Sequence, residues 1–211
     1  MVVYKLHYFA ARHRAEAIRL MFHYNGTKFE DIRYDLEKWT SVKPTVPFGR
    51  LPMLEVDNNK IVQSTAIMRF LARRFGLSGA TVFDQARADE ACDVILDFDD
   101  QIAEFIEIVA KFRAGDEASS TRKTAQKEIL EPAVDRFFPI FRKFLNENQG
   151  TFIAGKRLTY PDFYLADLLF TVRALSPQSF DHYGDLSAYI NRIYAMPKLK
   201  KYLASRPATV V

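Results

Sequence analysis

The chain opens on a strict alternation. Over residues 2–9, Tyr4, Leu6 and Tyr8 fall on one side while Val3, His7 and Phe9 fall on the other, and this period of two predicts a β-strand. From Ala15 the apolar positions become Ile18, Met21 and Phe22, the spacing of a helix. A second strand, Phe29 to Tyr34, follows the Asn25-Gly26 break. Leu51 to Val56 and Lys60 to Gln63 flank Asp57-Asn58-Asn59 and predict an antiparallel hairpin. Ser64 then opens a helix whose buried side carries Ile67, Phe70 and Leu71. The order is βαβ followed by ββα, an α/β unit.

After Gly76-Leu77-Ser78-Gly79 the strand signals vanish and long helical periods take over. Two domains are expected, an α/β domain over 1–76 and an all-α domain over 83–211. Residues 84–112 predict one long helix whose apolar stripe is Ala91, Ile95, Phe98, Ile102, Phe105 and Val109. The polar run Asp116 to Ser120 marks a loop, and the next helix reaches about Asn146. Pro132 and Pro139 interrupt that helix, where a kink or change of axis is expected. Thr159 and Asp162 have the spacing of a capping box, with Pro161 in the first turn.

Composition narrows the possibilities. With 48% hydrophobic and 14% aromatic residues, the 211-residue chain reads as globular. Its single cysteine, Cys92, cannot close an internal disulfide, and the N-terminal residues lack the pattern of a secretory signal, so a cytoplasmic location is expected. No run approaches the roughly 18 apolar residues of a membrane span, so no membrane partner is expected. The net charge of +4 comes from 30 basic and 26 acidic residues interleaved along the chain, which argues against nucleic-acid binding.

Three local features could carry chemistry. Tyr8 ends the first strand with Arg12, His13 and Arg14 close behind; a core aromatic and a solvated helix start would explain them equally well. Leu51-Pro52 begins the hairpin with a residue that cannot donate to a ladder, leaving the Leu51 backbone for an extended ligand or for an ordinary edge turn. Gln63-Ser64 meets the start of a helix, where backbone N–H groups attract a carboxylate, although Ser64 as a plain N-cap is compatible with the same residues. The long helix adds Asp89, Asp93, Asp97, Asp100, Glu104 and Glu107 within about 80° of arc at 3.6 residues per turn. Such a stripe should face water or a cation, since like charges at this spacing repel.

Taken in one register, Tyr4-Lys5-Leu6-His7-Tyr8-Phe9, Arg14-Ala15-Glu16, Trp39, Lys43, Leu51-Pro52, Leu54-Glu55-Val56-Asp57, Gln63-Ser64 and Arg69-Phe70-Leu71 resemble the thioredoxin-like domain of cytosolic glutathione transferases, most closely the sigma-class branch of invertebrate type, which also includes glutathione-dependent prostaglandin D synthases. The resemblance runs from Val2 to about Asp100 and returns in Leu158 to Phe163 and near Arg206-Pro207. It implies a glutathione transferase that conjugates the glutathione thiolate to hydrophobic electrophiles in detoxification, with glutathione as co-substrate and no metal. Two alternatives stand beside it: a glutathione-dependent prostaglandin isomerase, and a non-catalytic ligand-binding or structural member of the same fold.

By the same resemblance Tyr8 donates a hydrogen bond to the glutathione sulfur and Arg14 favours the same negative charge. Trp39, Lys43 and Arg50 bind the glycyl end, Leu51 beside Pro52 pairs through its backbone with the cysteinyl unit, and Gln63 and Ser64 hold the γ-glutamyl carboxylate. Asp97 would reach the γ-glutamyl amine in the other subunit of a homodimer, with Arg69 and Arg73 meeting the acidic stripe across the two-fold interface. Phe9, His13, Leu96 and Phe105 would line the pocket for the electrophile. His7 stands where the family usually has threonine, residues 10–13 lack its customary glycines, and Glu104 lies where prostaglandin-isomerising relatives carry tryptophan.

Overall fold

The computed structural model describes residues 2–111 and 120–209. Strands β1 (Tyr4–Phe9), β2 (Glu30–Tyr34), β3 (Met53–Val56) and β4 (Asn59–Val62) form one sheet in the order β2-β1-β3-β4. β1 runs parallel to β2 and antiparallel to β3, and β3 pairs antiparallel with β4. The parallel pair needs a crossover. Helix α1 (His13–Asn25) supplies it, starting two residues earlier than the apolar spacing predicts. α2 (Leu36–Val42) follows β2, and α3 (Ser64–Phe75) returns from β4 to lie beside α1. Leu6 and Leu54 sit opposite each other at the centre of the sheet, and with Ile18, Phe22, Ile67 and Leu71 they are fully buried.

The hairpin is shorter than expected. The β1–β3 ladder stops at His7 and Met53, because the next residue, Pro52, has no N–H to continue the pairing. Leu51 therefore lies outside the sheet, at its end nearest Tyr8.

Beyond residue 76 the described chain is helical: α4 (Val82–Lys111), α5 (Ser120–Ala125), α6 (Glu131–Glu147), α7 (Tyr160–Leu175), α8 (Gly184–Tyr194) and α9 (Pro197–Ser205). The apolar stripe of α4 is buried along its whole length, as its spacing requires. The polar run expected as a loop lies outside the described residues except for Ser120, which begins α5. The adjustment expected near the prolines takes the form of a π-helical turn, Gln126–Leu130, between α5 and α6. Pro132 then occupies the first turn of α6, where its missing N–H leaves no bond unmade, while α6 continues through Pro139. The capping box forms: Asp162 accepts hydrogen bonds from the Thr159 and Ile153 N–H groups at 2.8 Å and from the Tyr189 hydroxyl at 2.9 Å. None of the described helices is long and apolar enough to cross a membrane.

Buried ionic groups join α1 to the helical part. Glu16, fully buried, accepts from Arg206 at 2.8 Å, from the Tyr202 hydroxyl at 2.9 Å and from Arg19 at 3.2 Å. Arg12 is buried as well and donates to Asp167 and Thr171 at 3.1 Å. It is therefore no part of a solvated helix start; its charge is neutralised by a carboxylate from α7. These contacts hold the start of α1, and with it the neighbourhood of Tyr8, against α7 and α9.

Candidate active site

Tyr8 is the penultimate residue of β1, shortly before the chain enters α1. Its ring is buried between Phe9, 5.4 Å away, and the Arg19 guanidinium, 5.9 Å from the ring centre. Its hydroxyl lies 3.4 Å from His13 Nδ1. Burial, helped by the negative charge of Asp99, pushes the Tyr8 pKa up to about 12, although Arg14 and Arg19 pull it down. The phenol keeps its proton at neutral pH and can act as a donor.

His13 and Arg14 turn toward α4. His13 Nε2 lies 3.2 Å from Asp99 Oδ1, and Arg14 Nε lies 3.4 Å from Asp99 Oδ2 while its guanidinium pairs with Asp100. Asp99 is fully buried and also accepts the Tyr164 hydroxyl at 2.6 Å. Burial alone would push its carboxyl up, but His13, Arg14 and Tyr164 together hold it below the ordinary carboxylate range. The sequence reading missed Asp99, which stands apart from the acidic stripe. The signal was there: Asp99 shares a helix face with Ile95, Ile102 and Ile106, and a lone carboxylate among buried apolar positions needs partners.

A groove of about 460 Å³ lies between the start of α1 and α4, bordered by Tyr8, Ala11, His13, Arg14, Arg50, Asp100, Ala103 and Glu107. It brings together four of the expected site residues, Tyr8, His13, Arg14 and Arg50. Leu96 is on the same face of α4, one turn before Asp100, and is half-buried. Phe105 is not a lining residue. It lies about 140° around the helix from Asp100 at 3.6 residues per turn, is fully buried, and belongs to the core. Phe9 does not border the groove; its ring packs against Tyr8 and stands edge-on to Trp39 at 5.5 Å.

Trp39 is half-buried on α2, Lys43 is exposed one turn on, and the Lys43 side chain lies over Gly49, beside Arg50. Gln63 holds the N-cap position of α3 with φ 74° and ψ 116°, a left-handed conformation that costs a non-glycine residue about 1–3 kcal/mol. Ser64 is thus the first helical residue rather than the cap. Neither side chain caps the helix, so the amide groups of its first turn carry their positive field toward the outside.

Asp97 is exposed on the acidic stripe and has no ion-pair partner among the described residues. Arg69 pairs within this chain, at 3.0 Å with Asp89 and also with Asp93, both on α4. Arg73, one turn further on, is exposed.

Comparisons with known proteins agree with this fold. The family model for the glutathione S-transferase N-terminal domain matches residues 4–73, and that for the glutathione S-transferase C-terminal domain matches residues 103–206. Glutathione S-transferase 1 of Ascaris suum is 38% identical over 209 residues, covering 99% of both chains. The solved structure of NaGST-2 superposes over 100% of both chains with a TM-score of 0.93 at 36% identity. That of prostaglandin synthase D of Nilaparvata lugens covers 98% of this chain and 100% of its own, with a TM-score of 0.85 at 31% identity. A thioredoxin-like sheet, an all-helical second half and full-length similarity on both sides lead to one conclusion: the chain belongs to the glutathione S-transferase family.

Proposed function

We propose that this glutathione S-transferase ionises glutathione at Tyr8 and delivers the sulfur to apolar electrophiles held in the groove between α1 and α4. The observation that carries the reading is a buried, protonated hydroxyl at the floor of that groove. A free thiol has a pKa of about 8.5 and only its thiolate attacks. Lowering that value by about two units takes roughly 2.7 kcal/mol, and a hydrogen bond to a charged group contributes about 1.5–3 kcal/mol. Tyr8 can supply much of this. The Arg14 guanidinium adds less than a free cation would, since Asp99 and Asp100 already engage it.

The rest of the tripeptide follows the chain's layout. Leu51, outside the ladder, offers its backbone to the cysteinyl unit; the unshielded N-terminus of α3 at Gln63 and Ser64 takes the γ-glutamyl carboxylate; Trp39, Lys43 and Arg50 take the glycyl end. Alanine at Ser64 should raise the KM for glutathione more than it lowers kcat, and an unchanged KM would refute that placement.

The domain division at residues 76–83, the sigma class, a detoxifying role and a cytoplasmic location complete the reading. A homodimer is part of it. Phe48 is 83% exposed, Val82 84% and Phe83 73%, apolar side chains that a second copy would cover. Asp97 would then serve the site of the second subunit. Sedimentation showing a monomer at micromolar concentration would discard the dimer. The similarity to a prostaglandin synthase favours one further activity, isomerisation of prostaglandin H, and it falls if prostaglandin H decays no faster with the protein present.

A further inference from the structure

Tyr8, His13 and Asp99 are joined by successive contacts. Asp99 Oδ1 lies 3.2 Å from His13 Nε2, and His13 Nδ1 lies 3.4 Å from the Tyr8 hydroxyl. The first contact is an ion-pair distance without the alignment of a hydrogen bond, and both of its atoms are buried without another partner. Such atoms normally pair, because a buried unsatisfied polar atom is destabilising. A carboxylate at Nε2 favours the tautomer that carries its proton there, which leaves the Nδ1 lone pair facing Tyr8.

We infer that His13, backed by Asp99, receives the proton that glutathione gives up, with Tyr8 as the relay. The inference rests on the proposed place of the glutathione sulfur at Tyr8. In the step, the Tyr8 O–H bond breaks and its proton goes to His13 Nδ1, while the thiol proton passes to the Tyr8 oxygen. The products are a thiolate, a neutral Tyr8 and an imidazolium whose charge Asp99 balances. No proton leaves the site, and Tyr8 ends with an O–H to donate to the sulfur.

The surroundings suit a proton held at His13. It is faced from β1 by Tyr8, from α1 by Arg14, from α4 by Asp99, and from α7 by Tyr164 and Asp167, the last two across a cavity of about 10 Å³. Asp167 is already balanced by Arg12 and Arg206, and Tyr164 donates to Asp99. One buried carboxylate oxygen, Oδ1 of Asp99, is thus left for His13 alone. Tyr8 cannot itself keep the extra negative charge, since burial and Asp99 hold its proton on.

The test counts protons. Glutathione is added at pH 7 to the full-length protein in weakly buffered solution, and the ultraviolet thiolate band and the proton released to a pH indicator are read together. The wild type is expected to form thiolate with well under one proton released per thiolate. His13→Gln and Asp99→Asn are expected to release about one proton for each thiolate formed, and their ratios of proton to thiolate, not their amounts of thiolate, carry the result. Far-ultraviolet circular dichroism and glutathione affinity check that both variants are folded. One proton released per thiolate in the wild type, or a ratio unchanged in both variants, overturns the inference while leaving Tyr8 its place. A thiolate band that survives Tyr8→Phe overturns the placement of the sulfur and the relay with it, and so does the absence of any band in the wild type.

Discussion

Replacing Tyr8 with phenylalanine removes one oxygen and almost nothing else. The ring is 5% exposed and held by Phe9 and Arg19, so its packing survives the change. The lost donor had stabilised a thiolate by about 1.5–3 kcal/mol, which corresponds to about one to two pKa units. A bound thiol that ionises near pH 6.5 in the wild type, about two units below a free thiol, would then ionise between about 7.6 and 8.7. At pH 7 the ionised fraction falls from roughly three-quarters to between about one-fifth and one-fiftieth, so conjugation slows by about 4- to 40-fold. The assay is kcat/KM for glutathione and chlorodinitrobenzene as a function of pH. Above pH 9 the two profiles should converge, because the thiol is then ionised in both proteins. Profiles that stay parallel with a constant offset would show that the hydroxyl acts on something other than thiol ionisation and would refute the reasoning.

Other outcomes follow from the same structure. Phe105→Ala should lower stability by about 3–5 kcal/mol, as for other buried phenylalanines, and leave KM for the electrophile near its wild-type value; a selective rise in that KM would return Phe105 to the pocket. Arg69→Ala removes a partly exposed pair and should cost no more than about 1 kcal/mol in urea unfolding, with the association state in sedimentation unchanged. Burial lowers the His7 pKa, Glu55 opposing it only in part, so the unfolded chain binds the proton more readily than the native one. Stability should therefore fall as pH drops from about 6.5, the ordinary histidine value, through the lower native one, and His7→Gln should flatten that stretch of the curve; a wild-type curve already flat there would contradict the assignment. Asp162→Ala strips four donors of their acceptor at the start of α7 and should cost at least about 3 kcal/mol. A loss under 1 kcal/mol in thermal unfolding would show that the capping box is dispensable.

Much of this architecture could be read from periodicity. The alternation in Tyr4–Phe9, the helical stripe of α4 and the capping box of α7 are each set by neighbours in sequence, and each forms where the pattern places it. What could not be read depends on contacts between distant segments. Nothing near Arg12 indicates that Asp167 will neutralise it, and nothing near Arg69 indicates that α4 passes close enough to hold it within one chain. Phe105 illustrates the same limit: its place on the apolar stripe marked it as core, and the pocket role came only from family resemblance. Gln63 runs against local preference, since a left-handed glutamine before a helix is set by the hairpin behind it rather than by its own propensity. Asp99 was legible as an acid on an apolar face, but its partners His13 and Tyr164 come from two other helices.

The Tyr8 hydroxyl makes the bound sulfur of the proposed complex prefer its charged form. The direct measurement is a spectroscopic titration of glutathione bound to the wild-type protein, following thiolate absorbance against pH. A midpoint about two units below that of free glutathione is predicted. A midpoint equal to that of the free tripeptide would contradict it.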